Sequence, residues 1–206
     1  MSDKAVISAE FFPPRDIAAQ EKLVRSAKSL MGLDLSYVSV TFGAGGSTRS
    51  GTVGAVDLLQ NLGFDVAPHL SCIGSTKAEI AEILDGYQAK GIKRLVALRG
   101  DLPSGMGGDV GELRYASDLV AFIREHSGDA FRVEVAAYPE MHPQALSFQE
   151  DLEHFVFKVK QGADAAITQY FYNANAYFDF VDRVQKMGVD VPIIPGIMPI
   201  MNSSQL

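Results

Sequence analysis

The chain has 206 residues, of which 47% are hydrophobic and 21% charged, the composition of a globular protein with one substantial core. Its formal net charge of -7 gives no electrostatic support to a nucleic-acid role, and its single cysteine, Cys72, excludes an intramolecular disulfide and fits a reducing compartment. The N-terminal Met1-Ser2-Asp3-Lys4 leads into a short strand-like run with no signal peptide or membrane-length apolar stretch, so the cytoplasm is the expected location and no membrane partner is expected.

Short β-branched runs alternate with segments of helical period along the whole chain. The first predicted strand, 5–12, carries Glu10 and Phe11-Phe12 ahead of Pro13-Pro14-Arg15, and a helix over 17–31 follows. A strand over 36–42 ends near Thr41, and a helix over 50–62 leads to a strand over 65–71 that contains His69. Ser75-Thr76-Lys77-Ala78-Glu79 offers an N-cap for a helix over 76–90. The next strand, 94–99, runs straight into Arg99-Gly100-Asp101 and a glycine-rich loop, 103–109, expected to be a mobile cover of the site. A helix over 114–127 precedes a strand over 132–138 that ends on Tyr138. The helix over 146–161 puts Leu152, Phe155, Val156 and Val159 on one face. A strand over 165–171 contains Gln169, a helix over 174–187 follows, and the last predicted strand is 192–197. Gly32, Gly63, Gly91, Gly128, Gly162 and Gly188 each stand just past a helix, where a left-handed stop is wanted.

Strand and helix recur at roughly 30 residues per unit, and the strands are apolar enough to be covered on both faces, which argues for a parallel α/β fold in one domain. Periodicity alone leaves a (β/α)8 barrel and a doubly wound sheet open. A complete eight-unit barrel takes about 250 residues. The chain offers about seven strands, and Asn202-Ser203-Ser204-Gln205-Leu206 reads like the cap and first turn of another helix, so residues 1–206 are expected to be a single barrel domain short at its C-terminal end. Glu10, Thr41, His69, Asp101, Tyr138 and Gln169 stand at comparable strand ends, which in a barrel of parallel strands converge on the mouth where such enzymes do chemistry.

Eight stretches together resemble methylenetetrahydrofolate reductase of the bacterial, single-domain type. They are Glu10-Phe-Phe-Pro-Pro-Arg15, Val38-Ser-Val-Thr-Phe-Gly43, Pro68-His-Leu-Ser-Cys72, Val96-Ala-Leu-Arg-Gly-Asp101, Tyr115-Ala-Ser-Asp118, Val135-Ala-Ala-Tyr-Pro-Glu140 with His142-Pro143, Ile167-Thr-Gln169 and Ile194-Pro-Gly-Ile197. Each is weak alone; the ordered set is specific and spans nearly the whole chain. The resemblance implies the (β/α)8 TIM barrel, FAD as cofactor and a homo-oligomer. It also implies ping-pong reduction of 5,10-methylenetetrahydrofolate to 5-methyltetrahydrofolate by NAD(P)H, which supplies methyl groups for methionine synthesis.

The same resemblance assigns residues. Glu10 matches the general acid that protonates the departing folate nitrogen as the ring opens to an iminium cation. That role calls for partial desolvation, which Phe11 and Phe12 are placed to give. On spacing alone, a glutamate paired with Arg15 or solvated is equally good. Asp101 matches a carboxylate beside the flavin whose charge stabilises the iminium and lowers the flavin potential; its plainer reading is a turn residue or helix cap. FAD contacts are implied for Thr41, His69, Arg99, Gly100, Asp101, Tyr115, Ala116, Tyr138, His142, Asp151 and Lys158. Arg99 and Lys158 would neutralise diphosphate, while a lone lysine on a helix is ordinarily solvated. Seven residues separate Asp151 from Lys158, so both lie on one helical face. Folate contacts are implied for Glu10, Asp101 and Gln169, whose amide both donates and accepts. At least two of Tyr170, Phe171 and Tyr172 are expected to pack against the neighbouring helix.

No histidine spacing suggests zinc. Asn173 stands where the family often has aspartate, and the family's last strand has no counterpart before Leu206. A non-catalytic flavin-binding or inert barrel fragment is the alternative. An unrelated barrel enzyme, such as a sugar-phosphate aldolase, would need a late-strand lysine or phosphate loop that the sequence does not offer.

Overall fold

A computed structural model describes residues 6–42, 49–101 and 111–200. The loop over 103–109, Gly43 and the segment from Asn202 to Leu206 lie outside the described residues. Among the described residues, seven strands and six helices alternate strictly, in the order β1 (Ile7–Phe11), α1 (Ile17–Leu30), β2 (Leu35–Val40), α2 (Arg49–Asn61), β3 (Val66–Ser71), α3 (Lys77–Ala89), β4 (Arg94–Leu98), α4 (Ala116–Ser127), β5 (Arg132–Ala137), α5 (Phe148–Lys160), β6 (Ala165–Thr168), α6 (Ala174–Lys186) and β7 (Ile193–Ile194). Parallel strands alternating with helices make this an α/β fold of the (β/α)8 type, as the resemblance implied. No described helix is long and apolar enough to cross a membrane.

The chain divides into two compact units, Met1–Arg132 and Val133–Leu206. In the first, β1 pairs in parallel with β2, β2 with β3, and β3 with β4. All six residues of β3 are buried, and Ile80 and Leu84 of α3 and Leu119, Val120 and Ile123 of α4 are buried too. β1 departs from the expectation of strands covered on both faces: Ile7 is 57% exposed, and the register slips between Ile7 and Ser8. In the second unit β5 pairs with β6 and β6 with β7, again in parallel. Its core holds Leu152, Phe155, Val156 and Val159 on the α5 face that the spacing picks out, and the Phe155 ring meets Phe180 of α6 edge-on at 5.1 Å.

Two late strands are shorter than the runs of 165–171 and 192–197 suggest. β6 stops at Thr168 because Gln169 turns its own side chain onto the backbone, Oε1 accepting from Tyr170 N at 3.0 Å in place of a ladder bond. β7 stops at Ile194 because Pro195 has no N–H, and the next N–H, that of Gly196, donates to Thr168 Oγ1 at 2.9 Å. Five of the six helix-stop glycines have positive φ; Gly32 does not.

Candidate active site

In the first unit the parallel register sets neighbouring strand ends level. Glu10 of β1 lies opposite Ser39 of β2, and Thr41 N donates to Phe11 O at 2.9 Å one step further on. The Thr41 carbonyl accepts from Thr52 Oγ1 at 3.2 Å, which ties this strand end to α2. His69 of β3 is buried, and its Nε2 stands 3.3 Å from Glu10 Oε2. That separation is an ion-pair distance without hydrogen-bond alignment, so Nε2 is a buried polar atom with no hydrogen-bond partner among the described residues.

The surroundings of Glu10 therefore differ from those foreseen. Its side chain is 51% exposed and Phe12 is 71% exposed, so Phe12 does not enclose it, and the neighbouring group is His69. Phe12 stands beyond the paired residues of β1, where the ladder no longer fixes which way a side chain faces, and lies in solvent.

Past β4, Arg99 O accepts from Ile73 N at 2.9 Å and Ser71 Oγ at 2.8 Å, with Cys72 Sγ at 3.7 Å. Gly100 then takes φ +86, and a Cβ there would overlap Ser71 Oγ and lie 2.8 Å from Ile73 Cγ2, so only glycine fits. Asp101 follows, exposed. Burial pushes the Cys72 thiol up to about 11, which makes it an inert core group. Tyr115 is 60% exposed where α4 begins; Asp118 Oδ2 accepts from both Arg114 N and Tyr115 N at 3.0 Å and fixes the turn into Ala116.

The second unit gathers Tyr138, His142, Asp151 and Lys158. Beyond β5 the chain turns with Met141 N donating to Tyr138 O at 3.3 Å, and Met141 itself has φ 79, a left-handed conformation unusual for a side chain of this size. Asp151 Oδ2 accepts from His142 N at 2.7 Å, and the His142 ring sits edge-on to Tyr138 at 4.5 Å. Gln144 N donates to His142 Nδ1 at 3.1 Å, which leaves the ring proton on Nε2 when the imidazole is neutral. Lys158 reaches inward from α5 and donates to Ala136 O at 2.6 Å, so it is not the solvated helix lysine that its position would ordinarily imply. Burial holds its ammonium down at about 8, with Asp151 pulling the other way.

The tyrosine-rich run does not pack as expected. Phe171 alone of the three stacks on α6, 5.2 Å from the Tyr177 ring, whereas Tyr170 and Tyr172 are 41% and 55% exposed with centroids 5.9 Å apart. Phe171 is drawn in because Tyr177 is itself anchored, its hydroxyl donating to Ile193 O at 2.8 Å. Asn173 caps α6, its Oδ1 accepting from Asn175 N at 3.1 Å. Ser71 and Met141 escaped the residue-level reading: the contact of Ser71 with Arg99 joins residues 28 apart in sequence, and left-handed methionine has no compositional signal.

The Methylenetetrahydrofolate reductase family matches the chain over residues 1–206. The chain is a member of that family. It is 43% identical over 200 residues to the 5,10-methylenetetrahydrofolate reductase of Salmonella typhimurium and 44% identical over 200 residues to that of Escherichia coli K12, covering 97% of this chain and 66% of each relative. The methylenetetrahydrofolate reductase (NADH) 1 of Arabidopsis thaliana is 36% identical over 212 residues, covering 97% of this chain and 36% of that protein. The chain thus spans just under two-thirds of the bacterial relatives' length. Among solved structures, a Clostridium thermocellum protein described as binding two copies of 5-methyl-5,6,7,8-tetrahydrofolic acid aligns with a TM-score of 0.68 at 18% identity, over 92% of this chain and 64% of that one. A 2,3-dimethylmalate lyase of the PEP mutase/isocitrate lyase superfamily aligns at 0.61 and 11% identity, over 98% of this chain and 70% of that one, a likeness of fold. In this reductase-family chain, Glu10 meets His69 and the Arg99–Asp101 turn rests on Ser71 in one unit, while Tyr138, His142, Asp151 and Lys158 gather in the other.

Proposed function

We propose that this protein reduces 5,10-methylenetetrahydrofolate to 5-methyltetrahydrofolate with NAD(P)H through FAD, with ping-pong kinetics, in the cytoplasm and as a homo-oligomer. The observation that carries the reading is the family match over residues 1–206, supported by Glu10, Thr41, His69, Asp101, Tyr138 and Gln169 standing in or just past the strands of this chain. Bound FAD supplies the hydride relay between nicotinamide and folate.

The residues present fit that cofactor. Among the described residues His69 Nε2 is a buried polar atom lacking a hydrogen-bond partner, and Ala136 O takes one of the three N–H donors of Lys158. In the first unit Thr41, His69, Arg99, Gly100, Asp101, Tyr115 and Ala116 would contact it, Arg99 countering the diphosphate charge. In the second, Lys158 supplies a poorly solvated positive charge, Asp151 fixes the His142 backbone, and Tyr138 offers a flat face.

The chain's own groups then do the folate chemistry. Glu10 donates a proton to the departing nitrogen, N10, with the His69 imidazole 3.3 Å from its carboxyl group. The Asp101 carboxylate stabilises the positive charge that develops on the opened folate. Gln169 keeps both amide N–H donors for substrate, because Oε1 is the atom engaged by Tyr170 N.

Glu10→Gln tests the assignment. Folate turnover is expected to fall by about 10²–10⁴-fold, the usual contribution of a positioned general acid, while NADH oxidation with menadione persists. Equal loss in both reactions would make Glu10 structural. Absence of NADH–menadione activity in the flavin-loaded native protein would reduce it to a binding protein.

A further inference from the structure

We infer that Ser71 is a positioning residue for the Asp101 carboxylate, an inference that rests on the flavin-dependent reading above. The β3–β4 ladder runs out at Ser71 opposite Leu98, so the chain beyond Leu98 has left the regular sheet. Two short hydrogen bonds hold the next peptide: Arg99 O accepts from Ile73 N at 2.9 Å and from Ser71 Oγ at 2.8 Å. The first is a backbone bond that any residue would make. The second depends on one hydroxyl, on a side chain that is 4% exposed.

Gly100 lies against that same hydroxyl. A Cβ at Gly100 would overlap Ser71 Oγ and approach Ile73 Cγ2 to 2.8 Å, so the left-handed turn at φ +86 is seated directly on Ser71. Asp101 is the next residue, exposed, and among the described residues its carboxylate takes no hydrogen bond or ion pair. With no side-chain partner among the described residues, the carboxylate is aimed by its backbone, and that backbone is pinned one peptide earlier by Ser71 and at Gly100 O by Arg99 Nε at 3.3 Å. A hydroxyl buried in β3 therefore helps set where the charge just past β4 stands. The strand-end glycine is required for the same reason.

The readout is the flavin midpoint potential, measured by spectroscopic redox titration of the FAD-loaded protein. Negative charge near the flavin disfavours its reduction, so Asp101→Asn is expected to shift the potential positive. Ser71→Ala, which lets the carboxylate wander, is expected to shift it in the same direction by part of that amount, and Ser71→Thr, which restores the hydroxyl, is expected to match the native value. The decisive comparison is the double variant: if Ser71 acts through Asp101, Ser71→Ala adds nothing to Asp101→Asn. Should Ser71→Ala fail to hold flavin, Ser71→Cys keeps the volume with a weaker donor and enters the same cycle. A native potential in the Ser71 variants, or a shift that adds fully to that of Asp101→Asn, overturns the positioning role alone. A native protein that binds no flavin overturns the underlying reading as well.

Discussion

Lys158 joins a positive charge to a buried position, and the two together make its behaviour testable. Its pKa is lowered from 10.5 to about 8, chiefly by burial. Between those values the unfolded chain holds a proton that the folded chain has released, so this group's contribution makes stability rise with pH from about 8 to 10.5 and leaves it flat below. A bound diphosphate would reverse the bias by favouring the ammonium form. FAD affinity is therefore expected to weaken above pH 8, by up to about tenfold per pH unit for one linked proton. Lys158→Met should bind FAD more weakly at neutral pH and lose that dependence, as read by flavin fluorescence titration. Identical profiles for the two proteins would remove Lys158 from the cofactor's reach. The sequence offers the lysine, two helical turns from Asp151, but not its inward course: nothing in the run Phe155–Lys160 says that the ammonium finds Ala136 O and not water. The pairing of Glu10 with His69 is hidden for the same reason, since it joins strands whose register only the fold supplies.

Helix caps and strand ends obey local rules, and there the sequence is most readable. Thr76 caps α3 with the reciprocal bonds that Thr-x-x-Glu predicts: Thr76 Oγ1 accepts from Glu79 N at 3.2 Å, and Glu79 Oε2 accepts from Thr76 N at 2.8 Å. Thr76→Ala is expected to cost about 1 kcal/mol in denaturant unfolding, since Oγ1 is the only atom removed from the pair that satisfies an end-of-helix donor. The Lys77 N–H is satisfied independently by Glu112 Oε2 at 2.6 Å, so the start of α3 survives the change. An unchanged unfolding midpoint would mean that water replaces the hydroxyl at no cost. Where local rules compete with longer contacts, legibility fails. The apolar run 165–171 looks like strand throughout, yet Gln169 diverts a backbone N–H and Phe171 is claimed by Tyr177. β7 is cut to two residues by Pro195, whose effect is visible in sequence only once the pairing partner is known.

Charge summed over the chain opposes the ligands that the reading requires. The formal net charge is -7, while FAD and the reduced nicotinamides are anionic, so an approaching cofactor meets a repulsive mean field before it meets Arg99 or Lys158. The two effects differ in range. Repulsion between the whole protein and an incoming anion is felt over the Debye length, about 30 Å at 0.01 M salt and about 10 Å at 0.1 M, whereas the attraction of a poorly solvated ammonium acts at contact and is screened much less. Raising ionic strength from 0.01 to about 0.1 M on that scale should therefore speed NADH association with the flavin-loaded protein while changing dissociation little. Stopped-flow bleaching of the flavin under pseudo-first-order NADH measures this directly. A bimolecular rate that falls with salt would show that the approach is governed by a local cationic surface strong enough to outweigh the net charge. Such a surface would have to be built from side chains other than Lys158, whose ammonium is turned inward to Ala136 O.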